Sequence, residues 1–190
     1  RNNHMPLPEP VARKPIHTRG ITYQGFRRED GLWDIEAHMT DVKSYSFQNH
    51  FRGTIEAGEP MHEMLLRVTI DDDFVIQEVT AVTDNSPFEI CPDIVDAYKS
   101  LAGIKMGPGW RRNIRQVVGG VHGCTHLTEL LFPMATVAMQ TLWAFKNHRR
   151  RKTDQDHSRE RTRPGILDTC HAWASTSPVV KRNAPEFYSG

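Results

Sequence analysis

Long apolar runs are missing from this sequence. No stretch reaches the ~18 apolar residues that a membrane-spanning helix needs. The first residues show no charged-then-apolar signal pattern. Cysteine is scarce, with three in 190 residues. An odd few in a chain of this length do not form a secreted disulfide framework, and a reduced, cytoplasmic compartment is the expected setting. An excess of one charge is also missing. Lys and Arg total 24 against 23 Asp and Glu, a net charge of +1. That balance does not by itself argue for nucleic acid. Finally, there is no Walker loop, no G-x-S-x-G elbow, no HExxH and no Rossmann glycine pattern. The well-marked enzyme classes are therefore not signalled.

What is present suits one ordinary soluble domain with a tail. A chain of this size buries roughly 70% of its unfolded surface and needs no disulfide staple. Residues 1–16 carry Pro6, Pro8, Pro10 and Pro15 and are expected to be an extended arm. HTRGITYQGFRRED, from His17, alternates like a strand, and Glu29-Asp30-Gly31 reads as a turn. GLWDIEAHMTDVK is the clearest strand. Trp33, Ile35, Ala37 and Met39 share one face, and Asp34, Glu36, His38 and Thr40 the other. After a polar loop, PMHEMLLRVTIDDDF is a further strand with His62, Met64, Leu66, Val68 and Ile70 on its apolar face. DDD at 71–73 reads as a hairpin turn, and FVIQEVTAVTDNSPF as the return strand.

The texture then becomes helical. CPDIVDAYKSLAG has apolar residues at 94, 95, 98 and 101 and closes on Gly103. GPGWRRNIRQVVGG reads as a turn plus a short helix. THLTELLFPMATVAMQTLWAFK is a long amphipathic helix that Pro133 should kink or split. Residues 148–163 form a dense run of charges, expected to be a solvated linker. A nucleic-acid arm is not favoured, because acids are interleaved and no aromatic platform accompanies the arginines. Residues 164–190 regain apolar character and should fold back onto the 17–147 domain. Strands first and helices after predict an α+β fold, an antiparallel meander with helices on one face.

The stretch GGVHGCTHLTELL, Gly119 to Leu131, places Cys124 at a helix start. Free N–H groups and the positive helix end favour thiolate there. His122 and His126 flank it at two residues either side. They could share a metal ion with the thiol or accept its proton. A plainer reading makes Thr125 a cap, the glycines a turn and Cys124 a small buried residue. The other thiols lie at element boundaries too: Cys91 in ICPD, and Cys170 beside His171 in DTCHAW. Three thiolates and one imidazole could complete a tetrahedral zinc site or hold an iron–sulfur unit.

A second constellation is Asp34, Glu36 and His38 on one strand face, with Asp41 just beyond. Such a row can bind a metal or supply an acid and a base, or be only the solvent face of an amphipathic strand. His62 is odder, because it interrupts an apolar face. It is either a satisfied core histidine or a ligand. His17-Thr18-Arg19 could set an arginine on a carboxylate or phosphate, or leave it on the surface.

At HTRGITYQG, DGLWDIEAHMTD, GEPMHEMLLRVTID and GCTHLTELLFPMAT the chain resembles an uncharacterised bacterial family, a domain of unknown function. It is more weakly similar to iron–sulfur scaffold proteins of the NifU and IscU type. Those also run antiparallel strands before helices, and Cys91 and Cys124 would take two of their ligand positions. The sequence departs from that pattern in having no cysteine between the two, so Cys170 would have to substitute. A plain metal site is the better expectation than cluster assembly.

The sequence therefore leads to a cytoplasmic metalloprotein in which Cys91, Cys124 and Cys170, with His126 or His171, bind zinc or iron. Glu36 or His38 would act as base near an open coordination position. Its partners would be a metal ion or a small molecule. The alternatives are a metal-free enzyme with Cys124 as nucleophile and His122 or His126 as base, and a non-enzymatic binding module.

Overall fold

The computed structural model describes residues 7–153 and 163–190. The chain forms two compact units, Arg1–His148 and Arg149–Gly190. In the first, six strands precede the helices: β1 (His17–Arg27), β2 (Trp33–Lys43), β3 (Phe47–Asn49), β4 (Gly53–Ile55), β5 (Pro60–Ile70) and β6 (Ile76–Asn85). A 3-10 helix (Cys91–Leu101), α1 (Trp110–Val118) and α2 (Thr125–Thr153) follow. The main sheet is antiparallel in the order β1-β2-β5-β6. This is the α+β meander that the order of patterns predicts.

Alternation decides which face is buried. Trp33, Ile35, Ala37 and Met39 of β2 point inward beside Met64, Leu66, Val68 and Ile70 of β5, all buried. Helix α2 lays Leu127, Leu130, Leu131, Met134, Ala138 and Leu142 in the same core, at spacings of three and four. Helix α1 adds Trp110, Ile114 and Val118. Each Leu, Ile, Val or Met of this layer contributes about 1.5–3 kcal/mol by leaving water, which makes the layer the main source of stability. The turns are made by short acidic side chains. Asp30 accepts from the Leu32 N–H, and Asp71 accepts from Asp73 and Val75.

Three expectations change. The polar loop after β2 holds the small β3–β4 hairpin, whose strands are too short to show a period. The Cys91 segment winds as a 3-10 helix rather than an α-helix. Its buried residues, Tyr98 and Leu101, are three apart, as that helix requires. Helix α2 is not split at Pro133. The proline is exposed, so the Glu129 carbonyl it leaves without an N–H donor faces water.

The backbone of α2 runs on to Thr153, into the charged stretch, and residues 154–162 lie outside the described residues. The second unit contains α3 (Pro178–Asn183). Its cap is Ser177, whose hydroxyl accepts from the Val180 N–H. Val180 and Ala184 are buried. No helix among the described residues is long and apolar enough to cross a membrane.

Candidate functional site

Inward-facing positions of β2 carry on past Met39 to Asp41, where the apolar row ends in a carboxylate. Strand register then fixes its neighbours. Asp41 pairs with Arg19 across β1 and with His62 across β5, so three polar side chains form one row across three strands. A register shift follows at Asp41/Val42, and such bulges re-aim side chains. Above the row, the first turn of α2 brings His126.

Asp41 is 2% exposed. Arg19 grips both its oxygens, donating from Nε to Oδ1 (2.8 Å) and from Nη2 to Oδ2 (2.7 Å). His17 Nε2 lies 2.9 Å from Oδ1. His62 Nδ1 lies 3.2 Å and His126 Nε2 4.0 Å from Oδ2. Arg19 also reaches Glu129 of α2 through Nη1 at 3.1 Å. Burial alone would raise the Asp41 carboxyl, but the hydrogen bonds and charge of Arg19, helped by His17, hold it down at about 2. It is therefore a carboxylate at neutral pH.

His62 is the exceptional residue of the group. It is 5% exposed, and its Nδ1 makes no hydrogen bond although Asp41 is close. Its ring lies on that of His126, with centroids 3.9 Å apart. Burial and the facing His126 push the His62 imidazole down to about 4, against the pull of Asp41. Burial, with Arg19, also lowers His126. Both rings are thus neutral at pH 7, the form in which imidazole binds metals. Ligand atoms of Asp41, His62 and His126 all lie within 4.8 Å of one another, the one such group of three among the described residues.

The helix start is fastened from below. The Tyr98 hydroxyl accepts from the Cys124 N–H (2.9 Å). It also lies 2.9 Å from the Cys124 carbonyl oxygen and 2.8 Å from Thr128 Oγ1, one of which takes its proton. Cys124 Sγ sits 3.8 Å from His126 Nδ1 and 4.0 Å from Met64 Sδ. The thiol thus stands beside the imidazole whose other nitrogen faces Asp41.

The structure gathers the residues singled out in the sequence differently from the expected set. His126 joins the Asp41 group, and Cys124 touches His126. Cys91 is half-buried at the start of the 3-10 helix and belongs to no three-donor group among the described residues. Cys170 and His171 lie in the second unit, where both are exposed. His122 is exposed in the turn before α2. Glu36 and His38 sit on the outer sheet face, opposite Asp41, because even positions of β2 alternate away from odd ones. Glu36 is held there by Arg67 (2.7 Å), and His38 Nε2 lies 3.1 Å from Glu63.

A family model described as Protein of unknown function (DUF2889) matches residues 17–140, the span that contains every residue of this group. No curated protein and no solved structure matches the chain.

Proposed function

The chain belongs to the DUF2889 family, and we propose that it is a zinc- or iron(II)-binding protein whose ion is held by Asp41, His62 and His126. One observation carries this reading: the buried Nδ1 of His62 has no hydrogen-bond partner and stands beside two further donors. An unpaired buried polar atom costs about 1–3 kcal/mol, and a bound ion removes that cost. The spacings suit a single ion. Bonds of about 2.0–2.2 Å to nitrogen and oxygen put neighbouring ligands roughly 3–3.5 Å apart. The 3.2 Å and 4.0 Å separations at Asp41 need only a small closure. Two imidazoles and one carboxylate are a donor set used by both zinc and non-haem iron(II), and three protein ligands leave positions open for water or substrate. Arg19 then acts as the partner that orients the ligating carboxylate. Half-exposed His17, 2.9 Å from that carboxylate, is placed to take a proton at the rim.

Elemental analysis of untagged protein purified without chelator tests the proposal. About one zinc or iron per chain is expected in the wild type, and at most a tenth of that in Asp41→Asn and in His126→Ala. A wild type without metal, or metal content unchanged in both variants, overturns it.

One observation favours a second reading. Arg19 already donates to both Asp41 oxygens, as it would in a metal-free acid–base pair of His17 and Asp41. A metal-free wild type selects that reading.

A further inference from the structure

Helix α1 carries three positive charges and no negative one in WRRNIRQVV. Arg111, Arg112 and Arg115 line an open cavity of about 740 Å³, with Gln116 and Thr136 as further polar groups and Phe132 as its aromatic wall. No carboxylate among the described residues lines it. Four arginines of the sheet region do find acids: Arg19 has Asp41, Arg28 has Asp30, Arg52 has Glu59 and Arg67 has Glu36. None of the three on α1 pairs with a carboxylate among the described residues.

Two of the heads are held in place. The guanidinium of Arg111 lies 5.0 Å and that of Arg115 5.5 Å from the centre of the Phe132 ring. Stacking on the ring restrains these two heads, while all three arginines stay exposed to a ligand from solvent. Arg111 and Arg112 also stand in the first turn of α1, where the helix dipole disfavours cations. Charge placed against a local preference, with no acid to offset it, marks a position kept for something other than stability. The volume is that of a small-molecule site.

We propose that this cavity binds a small molecule carrying at least two negative charges on phosphate or carboxylate groups. Planar guanidinium forks match either group with paired hydrogen bonds. Arg115 and Phe132 also border a second cavity, of about 390 Å³, which reaches Glu129, the partner of Arg19. The two cavities therefore share Arg115 and Phe132, and the second also borders a residue of the network around Asp41. Binding here stands whether or not an ion occupies the Asp41 group.

Calorimetric titration of the full chain at low ionic strength tests this, with sodium pyrophosphate in one arm and sodium citrate in the other. One-to-one binding is expected in at least one arm, weakened roughly tenfold by Arg112→Gln and by Arg115→Gln. Pyrophosphate alone assigns a phosphate ligand; citrate alone assigns a polycarboxylate. Arg112 is not one of the two arginines stacked on Phe132, so Arg112→Gln keeps the comparison valid if Arg115→Gln loosens the fold. Failure of both probes to bind overturns the proposal. So does an equal loss in Arg67→Gln, which removes a charge from the outer sheet face, or binding confined to a DNA oligonucleotide.

Discussion

Replacing His62 by leucine should make the metal-free protein more stable. The imidazole sits in an apolar row between Met64 and the start of β5, almost fully buried, with one nitrogen unpaired. Leucine keeps the apolar bulk and removes the orphan. Asp41 keeps Arg19 and His17, so its own charge stays compensated. At pH 7 the gain is about 1 kcal/mol, the low end of the cost of an unpaired buried group. Acid enlarges it. The His62 ring titrates near 4 in the folded chain against an ordinary 6.5. Between these values the unfolded chain takes up a proton that the folded chain refuses, so wild-type stability falls as pH drops through this window. By pH 5 the difference amounts to roughly 2 kcal/mol beyond that at pH 7. Leucine has no such term. Urea denaturation of chelator-treated wild type and His62→Leu at both pH values reads this directly. A variant less stable than wild type at both, or a difference equal at the two, would mean that His62 is a paired core histidine and the reasoning fails.

Two further substitutions probe the frame that holds the group. Tyr98→Phe leaves the Cys124 N–H without an acceptor at the start of α2, and should cost about 1–3 kcal/mol in urea denaturation; a loss below about 0.5 kcal/mol would show that water replaces the hydroxyl. Gly25→Ala puts a methyl 2.7 Å from Thr141 Cγ2 and 2.8 Å from its Cβ, forcing β1 and α2 apart. About 1–3 kcal/mol should be lost, read as a lower melting temperature, with part recovered by adding Thr141→Ala.

Much of this frame is legible in the amino-acid sequence. The alternation of Trp33, Ile35, Ala37 and Met39 names the buried face of β2, and the same parity carried two residues further puts Asp41 inside. His62 shows as an anomaly because every other member of its row is apolar. What parity cannot supply is register. Arg19, Asp41 and His62 are 22 and 21 positions apart, and only strand pairing makes them neighbours. The cysteines are hard to place from sequence for a related reason. All three lie at element boundaries, where turns collect small and polar residues of many kinds, and position at a boundary says nothing about which boundaries meet. Cys124 touches His126, which the helix start carries to Asp41 and His62.

The Tyr98 hydroxyl gives the pocket a latch. The first turn of any helix lacks N–H partners of its own, and here one of them is borrowed from a 3-10 helix early in the chain. The three contacts of the Tyr98 hydroxyl, with the Cys124 N–H, the Cys124 carbonyl and Thr128 Oγ1, all fall on the turn that carries His126. Tyr98 thereby ties the position of His126 to the packing of the 3-10 helix, one remove from the Asp41 row itself.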